Sequence, residues 1–143
     1  MARATPSGDA LDFQRGYTGL IGLKMAEWRE GYARMEIPVE DCHLNIQGMV
    51  HGGILAAMID ATGGFAGGYS GEPGSFGLPR VTLSLQVNYI ASVGEGVLTC
   101  VAQRRGGGKR TYSSTCEVTG SDGTLLATGQ VVYRIFSPSQ AGG

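Results

Sequence analysis

Charged residues are scarce in this sequence of 143 residues. They make up 16% of it, and 11 Lys and Arg nearly cancel 12 Asp and Glu to leave a net charge of −1. A general nucleic-acid-binding protein needs a strongly basic surface, so this charge balance excludes that class. Apolar residues make up 42% of the chain, which is too many for a chain that stays disordered. The scarcity of charge indicates that another chain covers part of the surface.

Cysteine and histidine are also few. The three cysteines, Cys42, Cys100 and Cys116, lack the spacing of a zinc or redox motif, and an odd number is not typical of a secreted disulfide scaffold. The two histidines, His43 and His51, have no metal-ligand spacing with nearby carboxylates. We therefore expect reduced thiols, a cytoplasmic location, no metal site and no redox cofactor.

Long hydrophobic runs are absent. The longest apolar stretch, residues 52–68, contains Asp60 and is shorter than the roughly 20 residues of a membrane-spanning helix. Residues 1–12 are polar and do not have the apolar core of a secretory signal. We therefore predict no membrane insertion, a flexible leader at 1–12, one domain at 13–136 and a loose tail at 137–143.

Glycine is the abundant residue, with 25 of 143 positions. The glycines have no collagen period, so they indicate tight turns and places where two backbones approach closely. Turn residues separate segments with strand or helix patterns. The predicted strands are 23–29, 32–39, 81–90, 96–105, 109–119 and 125–136, and the predicted main helix is 50–69. The pattern predicts an α+β fold in which an antiparallel sheet of about six strands wraps around one central helix.

The strand at 81–90 has the clearest alternation in the sequence. Its period of two predicts one apolar face and one polar face. The predicted apolar face holds Val81, Leu83, Leu85, Val87 and Tyr89, and the predicted polar face holds Thr82, Ser84, Gln86 and Asn88.

The predicted helix is apolar in every direction, which is typical of a helix that is buried on all sides. Asp60 is the one charged residue between His51 and Glu72. Burying an unpaired carboxylate costs several kcal/mol, so this position suggests either a function or an internal cationic partner. No such partner lies on the same helix, which favours the functional interpretation.

Gly52 and Gly53 stand where this helix begins. Glycines there leave exposed N–H groups at the positive end of the helix dipole, an arrangement that suits an anion or a developing oxyanion. A plain junction with His51 as a cap is the alternative. Gly52 and Asp60 are eight residues apart, or about 12 Å along a helix. Both groups can act on one carbonyl only if a second copy of the chain supplies one of them, so we predict a homodimer.

The segment from His43 to Gly53 followed by Asp60 has the pattern N-x5-H-G-G-x6-D. It resembles the signature of hotdog-fold acyl-CoA thioesterases, in the branch of the phenylacetate-pathway enzyme and of thioesterase superfamily member 2. The resemblance implies that Asp60 is the catalytic nucleophile or general base and that the Gly52 amide polarises the thioester carbonyl. It also implies that Asn45 orients water or the acyl group, and that His51 holds the helix start. Thr82 corresponds to a serine that positions water in some relatives.

The same resemblance implies a set of residues that contact coenzyme A, with no cofactor beyond the CoA of the substrate. The set is Gly53, Tyr89, Gly108, Lys109, Arg110 and Arg134. It further implies an acyl-CoA substrate and a dimer that pairs into a dimer of dimers. The acyl group is not legible from the sequence, although Phe65, Met58 and Tyr69 are candidates to line its pocket.

Two other functions remain open at this point. A hotdog enoyl-CoA hydratase or dehydratase would use a His and a carboxylate for proton transfer, and His51 could serve there. A non-catalytic acyl-CoA sensor would keep the pocket without the chemistry, although simple binding does not require a buried carboxylate.

Overall fold

The computed structural model describes residue 13 and residues 15–136 of the chain. The predicted leader at 1–12 and the predicted tail at 137–143 lie outside the described residues, and the domain boundaries stay predictions. The helices are α1 (Gly16–Ile21) and α2 (Gly52–Gly67), with a short 3-10 turn at Asp41–His43. The strands are β1 (Lys24–Arg29), β2 (Tyr32–Pro38), β3 (Arg80–Tyr89), β4 (Val97–Gly107), β5 (Thr111–Thr119) and β6 (Leu125–Ile135).

The six strands form one sheet in the order β1-β2-β4-β5-β6-β3, and every neighbouring pair is antiparallel. The helix α2 packs across one face of this sheet and contacts all six strands. The main core lies between them and includes Met35, Met58, Ile59, Leu98 and Leu126. The predicted antiparallel sheet around a central helix is therefore confirmed.

Local turn chemistry explains where the hairpins form. Gly31 joins β1 to β2 with φ at 74°, and Gly123 lies in the turn before β6 with φ at 86°. This left-handed region is open to glycine at little cost. The predicted turns at Glu30-Gly31 and Ser121-Asp122-Gly123 are both confirmed.

Glycines in α2 let the helix lie close against the sheet. A Cβ atom added at Gly63 would stand closer than 3.0 Å to the Val131 side chain, and one added at Gly67 would do the same with Tyr112. Real Cβ atoms essentially never come this near, so only glycine fits the present spacing of helix and sheet. The close approach expected of these glycines is confirmed.

The prediction that α2 is buried on all sides is wrong for the single chain. One stripe of small residues along the helix is only half buried, and it contains Ala56, Ala57, Asp60 and Ala61. The reason is geometric, because the sheet covers one side of the helix and no other described element covers this stripe. Neither described helix is long and apolar enough to cross a membrane.

The prediction of a single apolar face on β3 is also wrong. A β-bulge between Thr82 and Ser84 adds one residue to the strand opposite β6. The bulge shifts the alternation, so Thr82 faces the helix together with Leu85 and Val87, whereas Val81 points the other way. Because β3 is an edge strand, several of its apolar side chains stay exposed: Val81, Leu83, Leu85 and Tyr89.

All three cysteines are free thiols, with Cys42 exposed and Cys100 and Cys116 buried. The pKa of the Cys116 thiol is raised well above its usual range, chiefly by its hydrogen bond with Cys100 and then by burial. These two thiols therefore pack as small apolar groups in the core. The cytoplasmic location stays a prediction.

Candidate active site

Asp60 lies in the third turn of α2, and its carboxylate is held by two hydroxyl groups. Thr82 Oγ1 donates a hydrogen bond of 2.7 Å to Oδ1 of Asp60. The Tyr133 hydroxyl lies 3.0 Å from the same Oδ1 and 2.8 Å from the backbone oxygen of Asp60. Among the described residues, nothing donates to Oδ2 and no cationic side chain pairs with this carboxylate. One carboxylate oxygen is thus fixed and the other is free.

Tyr133 is a site residue that the sequence analysis missed. It lies on β6 beside Thr82 of β3, so the order of the strands places both hydroxyls against the same turn of α2. Burial is the main cause of a raised pKa at Tyr133. The Asp60 carboxylate adds to this rise, and the hydrogen bond with Thr82 opposes it. The phenol therefore stays protonated at neutral pH and acts as a donor.

The helix start forms a second group of predicted residues. His51 caps α2, because its Nδ1 accepts a hydrogen bond of 2.9 Å from the Gly53 amide. The Tyr89 hydroxyl donates to the Gly52 carbonyl at 2.8 Å. The Gly52 N–H has no acceptor within the described residues, so it remains a free donor at the positive end of the helix. The structure thus brings His51, Gly52, Gly53 and Tyr89 together.

Asn45 organises the loop that leads to this helix start. Its Oδ1 accepts hydrogen bonds from the Gln47 amide at 2.8 Å and from the Met49 amide at 3.1 Å. Its Nδ2 donates to no acceptor in the described part of the chain, which leaves that group for a ligand. Nearby, buried His43 bridges the Glu40 amide and the Ile21 carbonyl. The loop is therefore fixed at both of these residues.

The predicted coenzyme A cations form a third group at another part of the fold. Gly108, Lys109 and Arg110 are exposed in the hairpin between β4 and β5. Arg134 lies beside this hairpin, because Thr111 at its base pairs with Arg134 of β6. Within residue 13 and residues 15–136, no hydrogen bond or ion pair joins these cations to Gly52 or Asp60.

In one chain, therefore, the free Gly52 amide and the Asp60 carboxylate stand eight residues apart on a single straight helix, about 12 Å along its axis. A reacting carbonyl must lie within about 3–3.5 Å of both its donor and its attacking group.

The described residues contain no group of three or more His, Cys, Asp or Glu side chains that could hold a metal ion.

The three residues predicted as candidates to line an acyl pocket lie in different surroundings. Met58 is fully buried in the core. Tyr69 packs edge-on against Trp28, with 5.4 Å between the ring centroids. Phe65 lines a cleft beside Tyr133, the residue that holds the Asp60 carboxylate, together with Ala61 and Phe76.

Comparison with known proteins gives the family. Residues 47–127 match the family model of the thioesterase superfamily. The chain is 29% identical, over 81% of its length and 73% of the other, to an Archaeoglobus fulgidus protein provisionally described as an esterase. A conserved protein of Pseudomonas aeruginosa has a similar structure, with a TM-score of 0.78 and 30% identity over 92% of this chain and 100% of its own.

A third similar structure is a mutant of the phenylacetic acid degradation protein PaaI from Thermus thermophilus, with a TM-score of 0.72. It is 26% identical, over 84% of this chain and 98% of that one. The family match covers more than half of the chain, including the helix start and Asp60. With its six-stranded antiparallel sheet around one long helix, this chain is a PaaI-like hotdog hydrolase and belongs to the thioesterase superfamily.

Proposed function

We propose that the protein is an acyl-CoA thioesterase that hydrolyses an acyl- or aryl-acyl-CoA to the free acid and CoA. One observation carries this proposal. The Asp60 carboxylate is fixed through Oδ1 by Thr82 and Tyr133 and keeps Oδ2 free. A positioned carboxylate, water and a donor for the developing oxyanion are sufficient for thioester hydrolysis.

In the proposed reaction, Oδ2 of Asp60 acts in one of two ways. As a general base it takes a proton from water while the water oxygen bonds to the thioester carbonyl carbon. As a nucleophile it bonds to that carbon itself, and water then hydrolyses the anhydride. In both cases the C–S bond breaks, CoA leaves as a thiolate that takes up a proton, and the acid is released. The Gly52 N–H stabilises the oxyanion, and no cofactor is needed beyond the CoA of the substrate.

The site requires two subunits, because Gly52 and Asp60 of one chain are too far apart to serve one carbonyl. We therefore infer a homodimer in which each site takes Asp60 from one protomer and Gly52 from its partner. Two surfaces support this inference: the half-buried small-residue stripe on α2 and the exposed apolar side chains of the edge strand β3. Pairing of two dimers into a tetramer is part of the same proposal.

Coenzyme A carries several negative charges, so it needs cations outside the reacting centre. Lys109, Arg110 and Arg134, with the Gly108 backbone, are the proposed contacts for its phosphates, because they are exposed and clustered at one hairpin. Gly53 and Tyr89 are proposed to contact CoA at the helix start. The free Nδ2 of Asn45 is proposed to orient water or the acyl group.

Complementation between two inactive variants tests this function and the shared site together. Asp60→Asn removes the base or nucleophile, and we expect kcat to fall by about 10²–10⁴. Gly52→Pro removes the amide N–H and keeps Asp60. If the two variants are co-expressed and assemble at random, half of the dimers carry one intact site, so about a quarter of wild-type activity should return.

The measurement is thiol release across aromatic, short, medium and long acyl-CoAs, with each variant alone as the control. Full activity of Asp60→Asn would remove Asp60 from the mechanism, and a failure to regain activity in mixed dimers would argue against the shared site.

An enoyl absorbance change with the thioester intact would indicate a hydratase. Normal acyl-CoA binding without turnover in the wild type would indicate a sensor. Hydrolysis in oxygen-18 water, with label traced into Asp60, distinguishes nucleophile from base.

A further inference from the structure

Arg80 is a cation without a carboxylate partner beside the candidate active site. It begins β3, and its Nη1 donates to the carbonyl oxygens of Phe76 at 3.1 Å and Leu78 at 2.9 Å. Its guanidinium carbon lies 4.7 Å from the centre of the Phe65 ring. Among the described residues, no Asp or Glu forms an ion pair with it, and its Nε and Nη2 donate to nothing.

The environment of this guanidinium is unusual for a charge. Burial lowers the pKa of Arg80, although an arginine remains protonated at neutral pH. The nearby Tyr112 and Tyr133 are neutral phenols. The carbonyl end of α2, at Gly68, offsets only part of the charge. Arg80 is half-buried, and partly desolvated charges are normally paired, so this guanidinium can accept an anion that the described residues do not supply.

A cleft extends from this cation to Tyr133, which holds the proposed catalytic carboxylate. It has a volume of about 380 Å³, and its wall includes Ala61, Phe65, Phe76, Leu78, Arg80 and Tyr133. Tyr133 at one end donates to Asp60, and Arg80 forms another part of the wall. The remaining wall is largely aromatic and aliphatic, which suits a hydrocarbon or an aromatic ring between two polar ends.

The spacing along β3 fits an acyl group. Arg80 and Thr82 are two residues apart before the bulge, so they face the same side and are separated by about 6.6 Å along the strand. Thr82 bonds Asp60, so the Arg80 side chain starts about the length of a short acyl chain or one aromatic ring from the threonine that holds the proposed catalytic carboxylate.

We propose that the preferred substrate carries a second carboxylate at the end of the acyl group far from the thioester, and that Arg80 binds it through Nε and Nη2. This proposal rests on the proposed thioesterase function and specifies its substrate class. A guanidinium presents parallel N–H groups that match both oxygens of a carboxylate. The CoA phosphates have separate cations at the hairpin of Lys109 and Arg110.

Paired substrates of equal length test the proposal. Thiol release is measured with adipoyl-CoA against hexanoyl-CoA, and with para-carboxybenzoyl-CoA against para-methylbenzoyl-CoA. We expect the wild type to prefer the carboxylate member of at least one pair by about 10- to 100-fold in kcat/KM. Arg80→Gln should abolish this preference, so that the two members of each pair have similar kcat/KM. Lys24→Gln removes one exposed positive charge elsewhere and should keep the preference.

Loss of the Arg80 bonds to Phe76 and Leu78 would lower kcat/KM for both substrates of a pair equally. The ratio of the two kcat/KM values therefore measures recognition of the carboxylate and not the integrity of the fold. Arg80→Lys, which keeps the charge but loses the fork, should retain part of the preference. An equal loss for both substrates, no preference in the wild type, or weaker inhibition of Arg80→Gln by free CoA would overturn the proposal.

A failure of the proposed thioesterase function looks different, since no substrate would then release thiol. In that case calorimetry with uncleavable thioether analogues of adipoyl-CoA and hexanoyl-CoA decides the point. Tighter binding of the adipoyl analogue, lost in Arg80→Gln, would still support carboxylate recognition. Equal binding of the two analogues would refute it.

Discussion

The Tyr133 hydroxyl contacts Asp60 twice, at 2.8 Å from its backbone oxygen and 3.0 Å from its Oδ1. One phenol proton is shared between the two acceptors, so the helix turn and the side chain are positioned by the same group. The Tyr133 ring is itself held, because it stacks on Tyr112 with 5.7 Å between centroids and 7° between the planes. The orientation of the carboxylate is therefore built into the contact between sheet and helix.

The two hydroxyls that hold Asp60 are expected to affect turnover more than binding. We predict that Thr82→Val and Tyr133→Phe each lower kcat by about 10- to 100-fold, because each removes a hydrogen bond to a charged group. Steady-state thioesterase kinetics measure the effect. Thr82→Ser keeps a hydroxyl at the same place and should retain most of kcat. If kcat stays constant while KM alone rises, the two groups bind substrate and do not position Asp60.

The Gly52 amide can be removed without a large change to the helix. Position 52 is the first residue of α2, where proline is favoured, and His51 before it has φ −65° and ψ 137°, which is compatible with a following proline. We predict that Gly52→Pro lowers kcat by about 10²–10³. Gly52→Ala adds the same Cβ contact with Tyr89 but keeps the N–H, so it is the matched control. Equal activity of the two variants would show that the N–H takes no part.

Replacement of the closely packed glycines of α2, even by alanine, is expected to destabilise the protein. Gly63→Ala should lower the free energy of unfolding by about 1–3 kcal/mol, since the new methyl group overlaps Val131 and the gain of up to about 1 kcal/mol in helix propensity does not offset this. Chemical denaturation measures the loss. Gly106→Ala, at a position with no atom within 4 Å of the added Cβ, should change stability by less than about 0.5 kcal/mol. Similar losses for both variants would contradict the close-packing argument.

The raised pKa of Tyr112 predicts that the free energy of unfolding decreases at alkaline pH. Burial is the main cause that raises the pKa of Tyr112 to about 12 from 10.0, so the folded state holds this proton more tightly than the unfolded state. Its contribution is complete below pH 10 and is lost as the pH rises towards 12. Tyr112→Phe also loses the hydrogen bond to the Gly64 carbonyl, which makes it less stable at pH 8. Denaturation at pH 8, 10 and 11 should show this difference shrinking; a constant difference would contradict the linkage.

Much of the fold was predictable because its signals are local. The turns at Gly31 and Gly123 depend on adjacent residues, and the helix is bounded by His51 and by the loop that follows Gly67. The family pattern likewise lies within one short segment around the helix start. The order of the strands has no such local signal, because it depends on which strands pair in the folded sheet.

The missed parts of the candidate site arise from distant contacts. Tyr133 is 73 residues from Asp60, and only the neighbouring positions of β3 and β6 bring it there. Its place two residues after buried Val131 was the available signal, because alternate residues of a strand share a face. Arg80 was missed because its partial burial depends on Phe65 and on the loop at 76–78. The bulge in β3 was hidden because it leaves the apparent alternation of residue types unbroken.

That bulge makes β3 two separately phased segments. Before it, the strand aims a hydroxyl and a guanidinium at the helix; after it, the strand directs apolar groups and Tyr89 towards the helix start. Without the bulge, strict alternation would reverse the faces of one segment relative to the other. Thr82 and Arg80 could then not face the helix together with Leu85 and Val87.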